Sequence, residues 1–443
     1  MLRNIIQSMF ACCVLLALAC NASTVAMPRL DQSLPKANGP DRAAQPAPPA
    51  ELSAEQQTAL REAFMDLDRG RYLRAIDRLH TSAGSPPKRQ LPTFSLWWQM
   101  HPTITTVPDM SYADGGEPRI SPETERQIHN ARLEDAVAAI VRRARHTRIV
   151  ILNEAHHSPR DRAFALRVAR ALRPLGYTYL AAEAFSTDQR QGSTEPATLT
   201  MARDGYPRIS QGMYLKDPVF GDFVRQSLRL GYRPVAYEQV RTATSDNSMS
   251  GREQAQAENL MDAIFRRDPE ARVFIYVGYD HAAERPIAER GVEWMAARLK
   301  KMTGIDPLTI DQTFISEYAE DPTSRGVHAM ATRRRVQSSA VLISGSSPLV
   351  LGRYEGAIDL QVVHPRTLLR QGRPTWLFAM GRRAVAIPRH LLPRTGRRLI
   401  QAFEASEAED AVPVDQVVVE AGHPVPVLML PPRPIRFEVQ EPT

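Results

Sequence analysis

Cysteine is almost absent. The 443-residue chain has three, Cys12, Cys13 and Cys20, all near its start. A chain cut after an N-terminal leader would carry none. That excludes a disulfide framework, a cysteine nucleophile and a thiolate zinc site. Any metal would then have to be held by His, Asp or Glu. Other signatures are missing too. No G-x-G-x-x-G follows a strand pattern, and there is no P-loop, no G-x-S-x-G elbow and no H-E-x-x-H. The serines of "LISGSSPLV" lack a strand–elbow–helix context and read as a turn. These absences argue against nucleotide binding and serine-hydrolase chemistry. Nucleic-acid binding has only the global charge in its favour, and none is expected. The formal charge of +7 comes from dispersed arginines, whose densest run is Arg333 to Arg335. It reads as a basic solvated surface, with attraction to an anionic polymer or lipid as the alternative.

One arginine precedes an apolar run from Met9 to Ala19, and small residues follow it. This is the pattern of a secretory signal peptide over 1–26, cleaved after Ala22 or Ala26. The run is too short for a stable membrane anchor. Cys20 faintly resembles a lipoprotein box, although Ala17 stands where a larger aliphatic is usual. Membrane attachment is expected only if Cys20 is lipidated. Export without disulfides suggests a periplasmic, outer-membrane-associated or secreted protein. Residues 27–50 read as a Pro/Ala-rich linker.

A helical extension is expected over 51–135. It has one helix from Ser53 to about His80, an irregular connection around Trp97 and Trp98, and a helix from Pro122 to about His146. An alternating series follows. Strands are expected at Arg148–Asn153, Tyr177–Ala184, Arg233–Tyr237, Arg272–Gly278 and Pro307–Asp311, with helices at Arg160–Pro174, Phe220–Leu230, Arg252–Arg267 and Pro286–Met302. The strands are apolar throughout, as strands covered on both faces are. The fold class is therefore α/β: a mainly parallel sheet with flanking helices over 136–335. Ser186–Lys216 is long and polar and reads as a lid or insertion. Beyond it, 336–443 reads as a small C-terminal β-rich domain.

Ligands of open α/β sheets bind outside the carboxyl ends of the strands. In this register Glu154, Glu183, Glu238, Asp280 with His281, and Asp311 each end or follow a strand. One acid there is often only a helix cap. Five consecutive strand ends of this kind should crowd one crevice, and crowded carboxylates and imidazoles tune each other's pKa values. His80, His101, His129, His146, His328, His364, His390 and His423 read as surface or satisfied core residues. His156, His157 and His281 do not.

The stretch "VILNEAHHSPRDRAFALRVARALRPLGYTYLAAEAF" resembles the opening of the superfamily that joins erythromycin esterases, ChaN-type haem-binding lipoproteins and Tiki/TraB-type proteins. "GREQAQAENLMDAIFRRDPEARVFIYVGYDHAAE" resembles its second shared block. The resemblance covers about Ala136 to Thr303. It departs at Asn153, where a glycine is usual; asparagine also tolerates a left-handed backbone. Glu154-x-His156 matches the ChaN and Tiki spacing, and Glu154-x-x-His157 the esterase spacing. The resemblance implies a polar centre of Glu154, His156 or His157, Glu183 and His281, with Arg252 pointing at the carboxylates. It implies either a hydrolase or a haem binder. The carboxylate-rich crevice favours activation of water to cleave an ester, lactone or amide of a small-molecule or peptide substrate. In that reading Glu154 and His156 share the general-base role, and Arg252 stabilises oxyanion charge. Glu183 orients the imidazole or binds a metal, and His281 is acid or ligand. A divalent metal on His156, Glu183 and His281, or a haem, is open as cofactor. Haem or metal binding of the ChaN type, or a non-catalytic envelope binding module, are the alternatives.

Overall fold

The computed structural model describes residues 52–84, 88–187, 196–242, 244–287, 291–334 and 336–442. The expected signal peptide and linker lie outside the described residues, as do 188–195 of the expected lid.

A nine-stranded mixed sheet forms the centre. Its strands are β1 (Arg132–Asp135), β2 (Ile149–Glu154), β3 (Tyr179–Ala182), β4 (Arg233–Val235), β5 (Val273–Gly278), β6 (Leu308–Asp311), β7 (Ala340–Ser344), β8 (Ser347–Pro348) and β9 (Leu360–Val363). The order is β1-β7-β9-β6-β2-β5-β3-β4, with β8 on β7. From β9 to β4 every pairing is parallel. Helices cover both faces, so β2, β5 and β6 are buried along their whole length. Two apolar clusters occupy the two faces. One contains Val150, Leu152 and Phe274, the other Ile149, Ile151 and Ile275. The alternation of side chains along a strand sends neighbours to opposite layers. This is the α/β architecture expected, and no described helix is long and apolar enough to cross a membrane.

Chain direction across the sheet reverses around β2 and β5. β3 and β4 lie to one side of them, β6 and β9 to the other. Glu154 pairs in register with Gly278, and Ala182 with Tyr276. The carboxyl ends of β2, β5 and β3 therefore stand side by side at a switch point, where open sheets present their crevice.

Several boundaries differ from expectation. The first helix is broken at Gly70, whose φ of 70° ends one helix (Ala54–Asp68) before the next (Tyr72–Ala83). Trp97 and Trp98 sit in a helix, Pro92–Met100, that starts with proline at its first turn. The helix expected over Pro122–His146 is split by β1, which pairs antiparallel with β7. The extension over 51–135 thus contributes a strand to the sheet. The expected boundary at 336 also moves. Ala340–Ser344 and Leu360–Val363 belong to the central sheet, because apolar strands of this kind close its edge instead of forming a separate unit. What remains small and β-rich is the tail, with sheets built from Arg397–Glu404, Asp415–Glu420 and Ile435–Gln440 and from Arg383–Val385 with Leu428–Leu430.

The tail packs on both earlier regions. Leu399 joins the apolar cluster of the N-terminal helices. Gln440 Nε2 donates to the Gly70 carbonyl at 2.6 Å. Fully buried Arg225, on the helix Pro218–Arg229, donates to both carboxylate oxygens of Glu407 at 2.7 and 2.5 Å. Removing one member of a buried pair strands the other charge. Glu407→Ala should therefore lower unfolding free energy by about 3–5 kcal/mol, measured by urea denaturation. A loss no larger than that of an exposed ion pair would show that the tail is not tied to the sheet through Arg225.

Candidate active site

The end of β2 delivers Glu154, and the helix Pro159–Leu172 returns Arg162 to meet it. Arg162 grips the carboxylate in a fork: Nε donates to Oε2 at 2.8 Å and Nη2 to Oε1 at 3.1 Å. Its remaining donors reach the His156 carbonyl at 2.7 Å and Asp217 Oδ2 at 2.7 Å. Asp217 caps the helix Pro218–Arg229. All of these side chains are buried. Burial alone would raise the pKa of Glu154, but Arg162 and then the His156 hydrogen bond outweigh it and hold the carboxyl below its ordinary range.

Glu154 Oε1 lies 3.0 Å from His156 Nδ1. The imidazole is stacked on Tyr214, with centroids 4.0 Å apart and planes 13° apart, and meets Tyr279 edge-on. Its second nitrogen, Nε2, is buried and has no hydrogen-bond partner among the described residues. A cavity of about 10 Å³ lies there, lined by Glu154, His156, Glu183, Tyr214, Tyr276 and Gly278 among others. That is roughly the room one water molecule occupies. Gly278 makes the room. A Cβ on it would stand 2.7 Å from His156 Nε2 and 3.2 Å from Glu183 Oε2. Its φ of −83° is open to any residue, so the glycine is required by space and not by backbone conformation.

Glu183, just past β3, is held from the other side. Its Oε2 accepts the Gly278 N–H at 2.6 Å, and its Oε1 accepts Arg252 Nη2 at 2.5 Å. Arg252, in the first turn of the helix Met249–Leu260, also pairs with Glu238 through Nε at 3.0 Å and through Nη2. His281 Nε2 is 3.4 Å from Glu183 Oε1, and its Nδ1 is 2.9 Å from Glu253 Oε2. Burial pulls the His281 pKa down, but Glu253 and then Glu183 prevail and raise it to about 9. Conversely, burial would raise that of Glu183, and His281, Arg252 and His156 together depress it to about 2. Arg252 Nη1 lies 3.0 Å from His281 Nε2, a spacing suited to an unprotonated Nε2. The two buried carboxylates flanking the ring favour the imidazolium, which then shares Glu183 with Arg252.

The structure thus brings together Glu154, His156, Glu183, Glu238, Arg252 and His281. It takes the other expected residues elsewhere. His157 turns away: Nε2 donates to the Tyr318 carbonyl at 2.8 Å, the ring packs on Trp98, and burial drives its pKa to about 4. Asp280 accepts the Tyr354 hydroxyl at 2.8 Å and pairs with Arg353. Asp311 braces its own loop, accepting Thr313 N at 2.8 Å and Asn153 Nδ2 at 2.9 Å. Asn153 is not left-handed. It lies within β2, and its side chain bridges Tyr279 O, Asp311 and Gln312 N. The positive φ at this switch point, 37°, falls on Tyr279 instead. Arg252, expected to face an oxyanion, spends its donors on Glu183 and Glu238. Arg162, Asp217, Glu253 and Tyr214 were not among the expected site residues, and Gly278 was read only as a strand end. Glu253 beside Arg252, and Arg162 in the first turn of the helix after Glu154, were the available signals. Tyr214 left none, since only the tertiary fold brings it to His156.

The donor set fits neither cofactor. No described group of three or more His, Cys, Asp or Glu side chains is arranged to hold a metal ion. The Arg252 guanidinium stands between Glu183 and His281, where it opposes a divalent cation. A haem needs a roomy apolar slot beside its axial histidine, whereas the space at His156 Nε2 has the size of a water and holds two carboxylates, Glu154 and Glu183, in its lining.

A histidine whose folded pKa exceeds its unfolded value stabilises the fold fully below the unfolded value, and that stability is lost as pH rises through the folded one. For His281 the window runs from about 6.5 to about 9. Its contribution there is about 3 kcal/mol. Urea denaturation should show wild type losing that much more than His281→Gln across the window. Parallel curves would contradict the assignment.

No family model matches the chain, and no curated protein does. Solved structures that it resembles include one described as bacterial protein toxins, with 14% identity and a TM-score of 0.31, covering 54% of this chain and 55% of that one. Another is RRSP, a MARTX toxin effector domain from Vibrio vulnificus CMCP6, with 12% identity and a TM-score of 0.29, covering 54% of each chain. A third is the type III effector HopBA1, with 13% identity and a TM-score of 0.26, covering 44% of this chain and 89% of that one. The chain spans about half the length of the first of these. Likenesses this distant carry no argument about activity.

Proposed function

We propose that the chain is a hydrolase that activates water with a Glu154–His156 dyad to cleave an ester, lactone or amide bond. One observation carries the reading. His156 has one ring nitrogen fixed by a clamped carboxylate and the other bare, facing a water-sized cavity. A carboxylate that accepts from Nδ1–H leaves the lone pair on Nε2, the atom that must take a proton from water. Arg162 keeps Glu154 ionised, so Glu154 orients the ring and offsets the charge it gains. This separates the general-base role that the sequence had left shared between the two residues.

On the far side of the cavity, Glu183 links the base to His281. His281, oriented through Nδ1 by Glu253, does not line the cavity and acts on it through the charge of Glu183. The Tyr276 side chain lines the same cavity and interacts with the Glu154 carboxylate. Tyr214, from the segment read from sequence as a lid or insertion, lines the cavity beside Ala184. Within the superfamily that "NEAHH" resembles, a Glu154–His156 dyad has the ChaN and Tiki spacing and not the esterase one, so the hydrolase reading rests on the geometry of His156 and not on the resemblance.

A panel of ester, lactone and amide substrates tests the proposal. Once a substrate is found, His156→Ala should lower kcat by about 10²–10⁴-fold, the usual weight of a general base, with an unchanged melting temperature. Gly278→Ala should lower it comparably by filling the cavity, although no charged group is altered. His157→Ala should retain most activity. Activity that survives His156→Ala, or that falls only with His157→Ala, would overturn the dyad. Hydrolysis of nothing in a broad panel, with the site intact, would favour a non-catalytic binding module.

A further inference from the structure

Although arginines are spread along the chain, one stretch carries them without any acid. No aspartate or glutamate occurs between Asp359 and Glu404. The buried arginines of that stretch are neutralised from elsewhere: Arg373 by Asp415, and Arg382 by Asp222. Arg366, Arg370, Arg383, Arg389 and Arg394 are exposed and have no ion pair among the described residues. Their charge faces solvent uncompensated.

The same region carries the most exposed apolar side chains described. Leu368 and Leu369 are 67% and 62% exposed, far beyond what a leucine at a packed surface shows, and Phe378 and Val425 are exposed with them. They are brought together by pairing. Leu369–Arg370 pairs with Arg373–Pro374 around a tight turn at Gln371 and Gly372, both at positive φ. Thr375 N donates to Leu368 O, and Val427 N to Gln371 O. The strand Leu428–Leu430 then pairs with Arg383–Val385. The hairpin is fixed at its root. Thr367 N donates to Glu317 Oε1 at 2.9 Å, and Arg160 Nη1 reaches Thr367 Oγ1 at 3.1 Å. Arg160 opens the helix that follows His157, so the hairpin stands at the same end of the sheet as the site.

We infer that this face docks on an anionic lipid bilayer, with Leu368, Leu369 and Phe378 entering the headgroup–acyl boundary and the flanking arginines engaging lipid phosphates. A purely electrostatic polyanion site needs no protruding leucine pair, and a protein partner needs no run of uncompensated arginines. A bilayer surface uses both, because weak apolar insertion and electrostatic attraction add. The inference does not depend on the hydrolase reading.

Co-sedimentation of the protein, purified as its host processes it, with large vesicles tests it. One set is phosphatidylcholine with phosphatidylglycerol, the other phosphatidylcholine alone. Binding should favour the anionic vesicles strongly and weaken with salt. Arg370→Gln and Arg383→Gln should each lower the partition coefficient about fivefold, corresponding to roughly 1 kcal/mol per arginine at such a surface. Leu368→Ser with Leu369→Ser should lower it by about tenfold or more with no change in melting temperature, since these side chains support no packing. Equal binding to both vesicle types, no binding to either, or full binding by the leucine variant would each overturn the inference. So would a preference for duplex DNA over vesicles that the leucine variant retains.

Discussion

The buried Arg162 guanidinium is the interaction on which the centre of this molecule depends. It ties the end of β2 at Glu154 and the turn carrying the His156 carbonyl to the helix cap at Asp217, more than fifty residues further along the chain. An ion pair this deep is not a cheap source of stability. Its worth lies in geometry. With every donor satisfied, it leaves Glu154 one free task, which is to hold His156 Nδ1. Everything proposed for the site follows from that restriction, including the bare Nε2 and the closeness of Gly278 beneath it.

The second half of the site is built on the same logic with different parts. Arg252 occupies Glu183 and Glu238, while Glu253 occupies His281 Nδ1. Two guanidinium-held clusters meet at one small cavity, lined by Glu154 and His156 from one and by Glu183 from the other. The opposite pKa shifts of Glu183 and His281 are one fact seen from two residues. Each stabilises the charge of the other in surroundings that exclude water. Arg252 thereby takes a positioning role, and the divalent metal that the ligand types alone suggested loses its place.

The sheet was legible in the sequence because its strands are apolar on both faces, and "IVIL" and "VFIYV" admit little else. The crevice was legible for the same reason, since a strand that must be covered ends where polar residues begin. What could not be read was which polar residues turn inward. Asp280 and Asp311 follow strands as Glu154 does, yet Tyr354 and the Thr313 loop draw them aside. His157 neighbours His156, and the choice between them is made by Trp98 and the Tyr318 carbonyl, which come from segments far away in sequence. The tail was misjudged because short runs between prolines and glycines look alike, whether they close an existing sheet edge or begin a new one. Pairing partners for Ala340–Ser344 lie some two hundred residues upstream, at β1.

The central claim is that Glu154 holds the proton of His156 on Nδ1 and leaves Nε2 bare. Nitrogen NMR of the protein labelled in its histidines measures this directly, because protonated and bare ring nitrogens resonate far apart. The account predicts that the neutral His156 ring carries its proton on Nδ1, and that Glu154→Gln disturbs this signal more than that of His157. A neutral His156 ring protonated on Nε2 instead would contradict it.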